Sequence, residues 1–337
     1  MQLIHPNVIK DQHRTIVYDI FMSYDKRVGL IYNPGFISEN EFATIKIFAN
    51  VNGAFIEMAP NDKILKDHPS KIGELVGIAF YDLISEKIQV EFNGQQYQFY
   101  LTKDHGGNRG VVASTLFHPP HHYLIKPWIN YNISIGIDNF ILYTNETITQ
   151  DLLDIISEYD EKITLVEWDF IYYVDKFHGC QPQMLNHCLY TFKYDQVAFI
   201  DLDEFICMHA KYNNNIKNLI NDHKQCDAIF MNCKWTQALT NSLNVQDILS
   251  SPVVKNKTLK LDEDRRVKNI IIRRENIREQ MVHGANTTIS RRHLPTDVAH
   301  FRHYMQLNSR GDGQQIHSTA TFRQMIVEPE NDGPLIR

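Results

Sequence analysis

No apolar run in the 337 residues approaches the roughly 20 that cross a bilayer as a helix. The opening Met1-Gln2-Leu3-Ile4-His5-Pro6 lacks the basic-then-apolar order of a secretory signal. Basic residues are not in surplus: 34 Lys and Arg against 40 Asp and Glu leave a net charge of −6 with histidine neutral. That balance excludes the electrostatic footprint of a nucleic-acid binder. Cysteine is sparse, with five residues (Cys180, Cys188, Cys207, Cys226 and Cys233) and no C-x-x-C pair. A zinc ribbon, a dithiol redox motif and a disulfide framework are therefore not indicated. An odd, scattered set suits free thiols in a reducing compartment, and a cytoplasmic protein without a transmembrane segment is expected. What remains is ordinary for a folded protein, 43% hydrophobic and 22% charged, and the length suggests two domains.

Two regions differ in pattern. Residues 1–107 read as a β-rich domain. Val28–Tyr32, Thr44–Phe48, Gly53–Met58 and Ile88–Phe92 are short β-branched or aromatic runs, and Asn93-Gly94 joins the last of them to Gln95–Leu101 as a hairpin. Leu75–Ser85 is expected as a helix, and the turn Asp104-His105-Gly106-Gly107 as the end of the unit. From residue 108 to 337 strands and helices alternate. Val111–Leu116, Phe140–Thr144, Thr164–Trp168 and Gln196–Ile200 are expected strands; Tyr123–Ile135, Thr149–Tyr159 and Gln181–Phe192 are expected helices. This is α/β grammar, a mostly parallel sheet flanked by helices, whose ligands collect at the carboxyl ends of the strands.

One such end is acidic. Val197–Ile200 runs directly into Asp201-Leu202-Asp203-Glu204-Phe205. Carboxylates are excluded from the interior of a buried strand, but at its tip Asp201 and Asp203, two residues apart, point the same way and can share a divalent cation. Hard oxygen donors suit Mg²⁺ or Mn²⁺, and such an ion holds a diphosphate. The same residues read equally as an acidic turn, with Asp203 or Glu204 capping the next helix.

In this context the sequence resembles glycosyltransferase family 92 and, more distantly, family 2. The resemblance is carried by Val111–Leu116, by Trp128–Tyr131 followed by Gly136–Tyr143, by Gln181–Leu189 leading into Val197–Phe205, and by Lys268–Ile272, Val282-His283 and His300-Phe301-Arg302-His303-Tyr304. It implies a GT-A domain and a metal-dependent, inverting transfer of a hexose, galactose as a guess, from a UDP-sugar to a glycan or other hydroxyl acceptor. It further implies Asp203 as a direct ligand of Mn²⁺ (or Mg²⁺) and Asp201 as a ribose contact or water-mediated ligand. His300 stands ahead of His283 as the third ligand, and Glu204 is an orienting group. Arg302 is a candidate phosphate partner; Thr115, Asn145, Gln181 and Asn186 are candidate nucleotide contacts. Lys126-Pro127 departs from the family's usual acid before Trp128, so that acid's role does not carry over.

Other features stay open. An inverting reaction needs a base, for which Asp247, Glu263, Asp264, Glu279 and Asp297 all qualify. His118-Pro119-Pro120-His121-His122 reads as a proline-stiffened loop rather than a metal site. Lys268 falls within the basic stretch Arg265–Arg278, which reads either as neutralising a diphosphate leaving group or an anionic acceptor or, more often for such a run, as a solvated face. Competing classes are a haloacid-dehalogenase-like phosphatase, for which Phe205 is the wrong residue type, and a catalytically silent carbohydrate-binding protein of the same fold.

Overall fold

The computed structural model describes residues 1–11, 14–65, 76–82, 85–101, 110–171, 173–174, 177–178, 180–238, 240, 242, 244–251, 253–256, 267–287, 290–304, 307 and 327–329. In chain order, β1 (Gln2–Ile4) precedes β2 (Ile9–Asp11), β3 (Arg14–Met22), β4 (Val28–Tyr32), α1 (Glu39–Phe42), β5 (Lys46–Val51), β6 (Ala54–Met58), β7 (Asp62–Leu65), β8 (Gly77–Tyr81), β9 (Lys87–Phe92) and β10 (Gln95–Tyr100). Then come β11 (Val111–Phe117), α2 (His122–Ser134), β12 (Asn139–Thr144), α3 (Gln150–Ile156), β13 (Ile163–Glu167), β14 (Tyr173–Val174), β15 (Phe177–His178), α4 (Gln181–Thr191), β16 (Gln196–Phe199) and β17 (Glu204–Met208). The chain continues through α5 (Ile216–Asp222), β18 (Ala228–Ala238), α6 (Val245–Ser250), β19 (Val253–Asn256), β20 (Val267–Ile271), β21 (Ile277–Met281), β22 (Gly284–Thr287), β23 (Arg291–His293), β24 (Ala299–Tyr304) and β25 (Val327–Pro329).

Strands β2 to β10 form two facing antiparallel sheets, β2-β3-β4-β8-β7 and β10-β9-β5-β6. The hairpins β5–β6 and β9–β10 turn on Asn52-Gly53 and Asn93-Gly94, all four residues with positive φ. Asn and Gly tolerate that conformation, and it gives the tight turn whose twist matches the strands. Period-two alternation points Ile47, Ala49, Ile88 and Val90 inward against Val17, Ile20, Leu30 and Ala79 of the other sheet. That second sheet is covered on its outer side as well, through Tyr18, Phe21, Ile31, Ile78 and Phe80. Burial on both faces removes the alternation, which explains the one misread element: the helix expected over Leu75–Ser85 is strand β8, buried at every position. The expected turn 104–107 and the 107/108 boundary lie outside the described residues.

The large sheet runs β1-β13-β12-β11-β16 in parallel. Beyond β16 it becomes mixed: β20 inserts antiparallel between β16 and β18, and β24 runs parallel to β18 and antiparallel to β17. The architecture is thus mixed α/β, uniformly parallel only in its first half. Gly110, with φ +93°, admits the chain to β11; a Cβ there would collide with the Asp138 carboxylate that accepts from Val111 N at 2.9 Å. Helices α2, α3 and α5 cover one face, while α4 lies between the other face and the sandwich. β1 sets three N-terminal residues at the edge of this sheet, so the segment 1–107 contributes to both units.

The two units are fastened by a buried polar chain. Tyr143 Oη and Asp19 Oδ2 hydrogen-bond opposite nitrogens of His187, at 2.7 and 2.8 Å, and Asn7 N donates to Asp19 Oδ1 at 2.6 Å. Asp19 belongs to β3, His187 to α4 and Tyr143 to β12. Removing one member leaves its partner buried and unsatisfied. Asp19→Ala is expected to lower the free energy of unfolding by about 1–3 kcal/mol, read as a lower urea midpoint.

Candidate functional site

Strand β16 is apolar and pinned between β11 and β20, and Ile200 N still donates to Ser114 O at 3.3 Å. The chain then leaves the sheet through a turn that Glu204 closes on itself. Asp201 N donates to Glu204 Oε2 at 2.8 Å, and Glu204 N donates to Asp201 O at 3.1 Å. Tyr304 N donates to Asp203 O at 3.2 Å, which ties the turn to β24. Three acids so close together require compensation, and two cations supply it.

Lys268, at the start of β20 and 4% exposed, sets its Nζ 2.6 Å from Asp201 Oδ2 and 3.3 Å from Glu204 Oε2. Burial opposes its charge, but the carboxylates of Asp201 and Glu204 hold the ammonium above its ordinary pKa. His303 Nε2 lies 2.9 Å from Asp203 Oδ2, and the ring stacks on Trp235 of β18 with centroids 4.1 Å apart. Burial works against protonation of His303 too, and Asp203 reverses the balance. Burial likewise pushes the Asp203 carboxyl upward, yet His303, then His121 and Lys268, bring it below the usual range. Glu204, 3% exposed at its side chain and crowded by Asp201, is pushed up to about 7.

His121 acts on Asp203 because β11 and β16 are parallel neighbours, so the segments leaving them emerge side by side. The His118–His122 stretch is a short 3-10 turn over Pro119–His121 that opens α2. The rings of His118 and His121 meet edge-on at 4.2 Å, and His122 pairs with Glu146 at 2.5 Å. Burial, with His121 and His122 nearby, lowers His118 to about 4.

The other sequence candidates are dispersed. His300 sits opposite Cys207 on β24, three positions from His303 and on the opposite face by strand alternation, with Nδ1 on Thr296 O at 2.8 Å. It is therefore His303, and not His300, that meets Asp203. His283 is exposed at the tip of the β21–β22 hairpin. Arg302 is wholly buried beside Phe205 and Lys234 in the ladder. Thr115 is buried in β11, in phase with Ala113 and Phe117 in the core beneath α2. Asn145 ties the Trp168 and Phe170 carbonyls at 2.8 and 2.7 Å. Gln181 opens α4 and is buried. Both amide hydrogens of Asn186 are spent, on Pro182 O and Gln280 O, and its oxygen accepts from Gln280 N. Of the candidate bases, Asp247 accepts from Ser242 Oγ, Glu279 pairs with Asn286 across a hairpin, and Asp297 is exposed before β24. Glu263 and Asp264 lie outside the described residues. Lys126 pairs with Glu158 at the surface, 2.9 Å apart.

Sequence reasoning missed Lys268, His303 and Trp235 as site residues. Lys268 was discoverable as the one cation inside the strand-like stretch Val267–Ile272; the choice between His300 and His303 needed the β17–β24 register.

The model of glycosyltransferase family 92 matches residues 111–333, about two-thirds of the chain, from β11 past β25. The chain belongs to glycosyltransferase family 92. It is accordingly an enzyme that moves a sugar from a donor to an acceptor, and the phosphatase reading falls away. No curated protein matches the sequence. In this family 92 chain the matched segment contains every member of the acidic cluster and its two counter-cations, while the β2–β10 sandwich lies outside it.

Lys268→Met leaves Asp201 and the buried Glu204 without their ammonium. We expect a loss of about 3–5 kcal/mol of stability, measured by urea denaturation. Adding Glu204→Gln should restore part of it, a coupling that independent sites would not show.

Proposed function

We propose that this glycosyltransferase is metal-dependent and inverting, moving a hexose (galactose by family resemblance) from a UDP-sugar to a glycan hydroxyl on a GT-A scaffold. The observation that carries the reading is the convergence of Asp203 and His303 at the tip of β16. Their donor atoms are 2.9 Å apart, close to the roughly 3 Å that separates adjacent ligands of an octahedral ion with 2.0–2.1 Å bonds. Among the described residues no group of three or more His, Cys, Asp and Glu is arranged to hold a metal. Two protein donors nevertheless fit Mg²⁺ or Mn²⁺, which are commonly held by one or two carboxylates plus substrate phosphates. Asp203 and His303 are thus the residues that would hold the ion, His303 only once the proton on Nε2 that it directs at Asp203 has left. When bound, it supplies Lewis-acid neutralisation of the departing diphosphate.

The chain's own groups do the rest. Lys268 fixes Asp201 through Oδ2, and the side chain, 36% exposed, leaves its other oxygen to meet a ribose hydroxyl. Glu204 closes the turn that carries Asp203 against His303. Trp235 holds the His303 ring in one plane. Parallel strands β11, β12 and β13 end beside this turn, where an α/β sheet gathers a nucleotide. Among the described residues no helix is long and apolar enough to cross a membrane. All five cysteines are buried and unbridged, which supports a cytoplasmic location.

Titration of Mn²⁺ in the presence of UDP tests the reading. His303→Ala should weaken metal binding on the order of 10–100-fold, and Asp203→Asn should cost about 10²–10³-fold in transfer. Undiminished transfer in a chelator by both variants would refute it.

A further inference from the structure

The β10-β9-β5-β6 sheet turns one face into the sandwich core, and its other face looks outward. Strand alternation and register fix what that outer face carries. One row reads Gln98, Gln89, Phe48 and Glu57 across the four strands. The next row begins with Tyr100 opposite Lys87 and ends with Asn50 opposite Phe55. Tyr100 is 70% exposed. Phe48, Phe55, Asn50 and Gln89 are half-exposed, and Gln98 is exposed. An antiparallel sheet ordinarily presents charged or small polar residues to water, not three aromatic rings.

Each of the three aromatics is interleaved with amides or a cation. Lys87 Nζ lies 5.6 Å from the Tyr100 ring centre and 5.7 Å from that of Phe55, holding the two rings apart. Gln98 donates to Gln89 at 3.5 Å, the limit of a hydrogen bond, which leaves both amides available to an incoming ligand. The charges cancel: Lys46 stands opposite Glu91, and Lys87 is balanced by Glu57. A nucleic acid or an anionic membrane calls for a basic surplus that this face lacks. A protein partner calls for a contiguous apolar centre depleted of charge, which the separated rings do not make. Sugars present flat C–H faces that stack on aromatic rings, and hydroxyls that both donate and accept. Amides offer the same pair of functions.

We propose that this face is a glycan-binding platform, distinct from the acidic cluster, that takes a neutral oligosaccharide segment. Tyr100 and Phe55 stand on strands three spacings apart, but both rings reach toward Lys87 Nζ, so their centres are no more than about 11 Å apart. The ligand therefore spans two or three sugar units. The choice of glycan as occupant rests on the sugar-transfer activity of the family; the platform itself does not depend on the metal site. It lies on the side of the sandwich turned away from the catalytic unit, so it would tether a polymeric acceptor without presenting it directly to the acidic turn.

Affinity electrophoresis of the whole chain through gels holding soluble glucan, galactan, mannan or xylan tests the platform. The wild type should be retarded by at least one of these. Tyr100→Ala, and separately Phe55→Ala, should raise the dissociation constant roughly tenfold, with an unchanged urea midpoint. Gln98→Glu, a conservative change at an exposed position, should weaken retardation by charge without touching an aromatic. Asp203→Asn should be retarded like the wild type, so failure of the catalytic reading and failure of the platform are told apart. Unretarded migration of the wild type through every gel, or equal retardation of the wild type and all three platform variants, would overturn the proposal. So would a wild type that self-associates through this face, with Tyr100→Ala restoring the monomer.

Discussion

Mutual repulsion among Asp201, Asp203 and Glu204 is the constraint that organises this end of the molecule. Carboxylates packed this closely at the edge of a dehydrated sheet are tolerable only if positive charge is delivered to each of them. No neighbour in sequence supplies it. Lys268 comes from β20 and His303 from β24, and Trp235 of β18 keeps the imidazole in place. The mixed half of the sheet can therefore be understood as the frame that carries these groups to the tip of β16. The result is unequal treatment of like residues: Asp203 is held ionised, whereas Glu204 is driven toward the neutral form. Environments that push neighbouring acids apart are characteristic of sites that handle charge in a substrate.

The parallel half of the fold was legible because its signals are local. Val111–Phe117, Asn139–Thr144 and Ile163–Glu167 are apolar runs of strand length, separated by helices with ordinary spacing. The Asn-Gly hairpin was equally plain, since only certain residues accept its backbone. Legibility failed wherever burial was two-sided or pairing was distant. The run around β8 is uniformly apolar, and uniform apolarity carries no period. The acidic turn was visible as a block of residues, but its partners were set by strand register across about 65 to 100 positions, which composition does not encode. Asn186 illustrates the converse. A polar residue on a helix near the acidic strand looks like a ligand contact, and the structure uses its amide to clamp α4 to β21. Buried amides are costly unless fully bonded, so such residues often serve packing.

The two units of the chain share a core as well as a polar fastening. Tyr18, Phe21 and Phe80 of the sandwich pack in the same cluster as Trp168, Leu189 and Phe199 of the large sheet. His187 sits inside that cluster with its ring edge-on to Phe21 and Phe192. The aromatic surroundings restrict the imidazole to one orientation, so the contacts of His187 to Asp19 and Tyr143 fix the angle between sandwich and helix α4.

The first strand gives this arrangement a further implication. Because Gln2–Ile4 zips onto Thr164–Val166, the chain passes from the large sheet into the sandwich and then returns. A single cut near residue 108 would consequently not yield two intact pieces. The downstream fragment would keep its chemistry-bearing turn but expose the bare amide and carbonyl row of β13, an open margin that invites pairing between molecules. Dissecting this protein thus calls for excising the loop-out of residues 9–100 and rejoining its ends, in the manner of removing an inserted module.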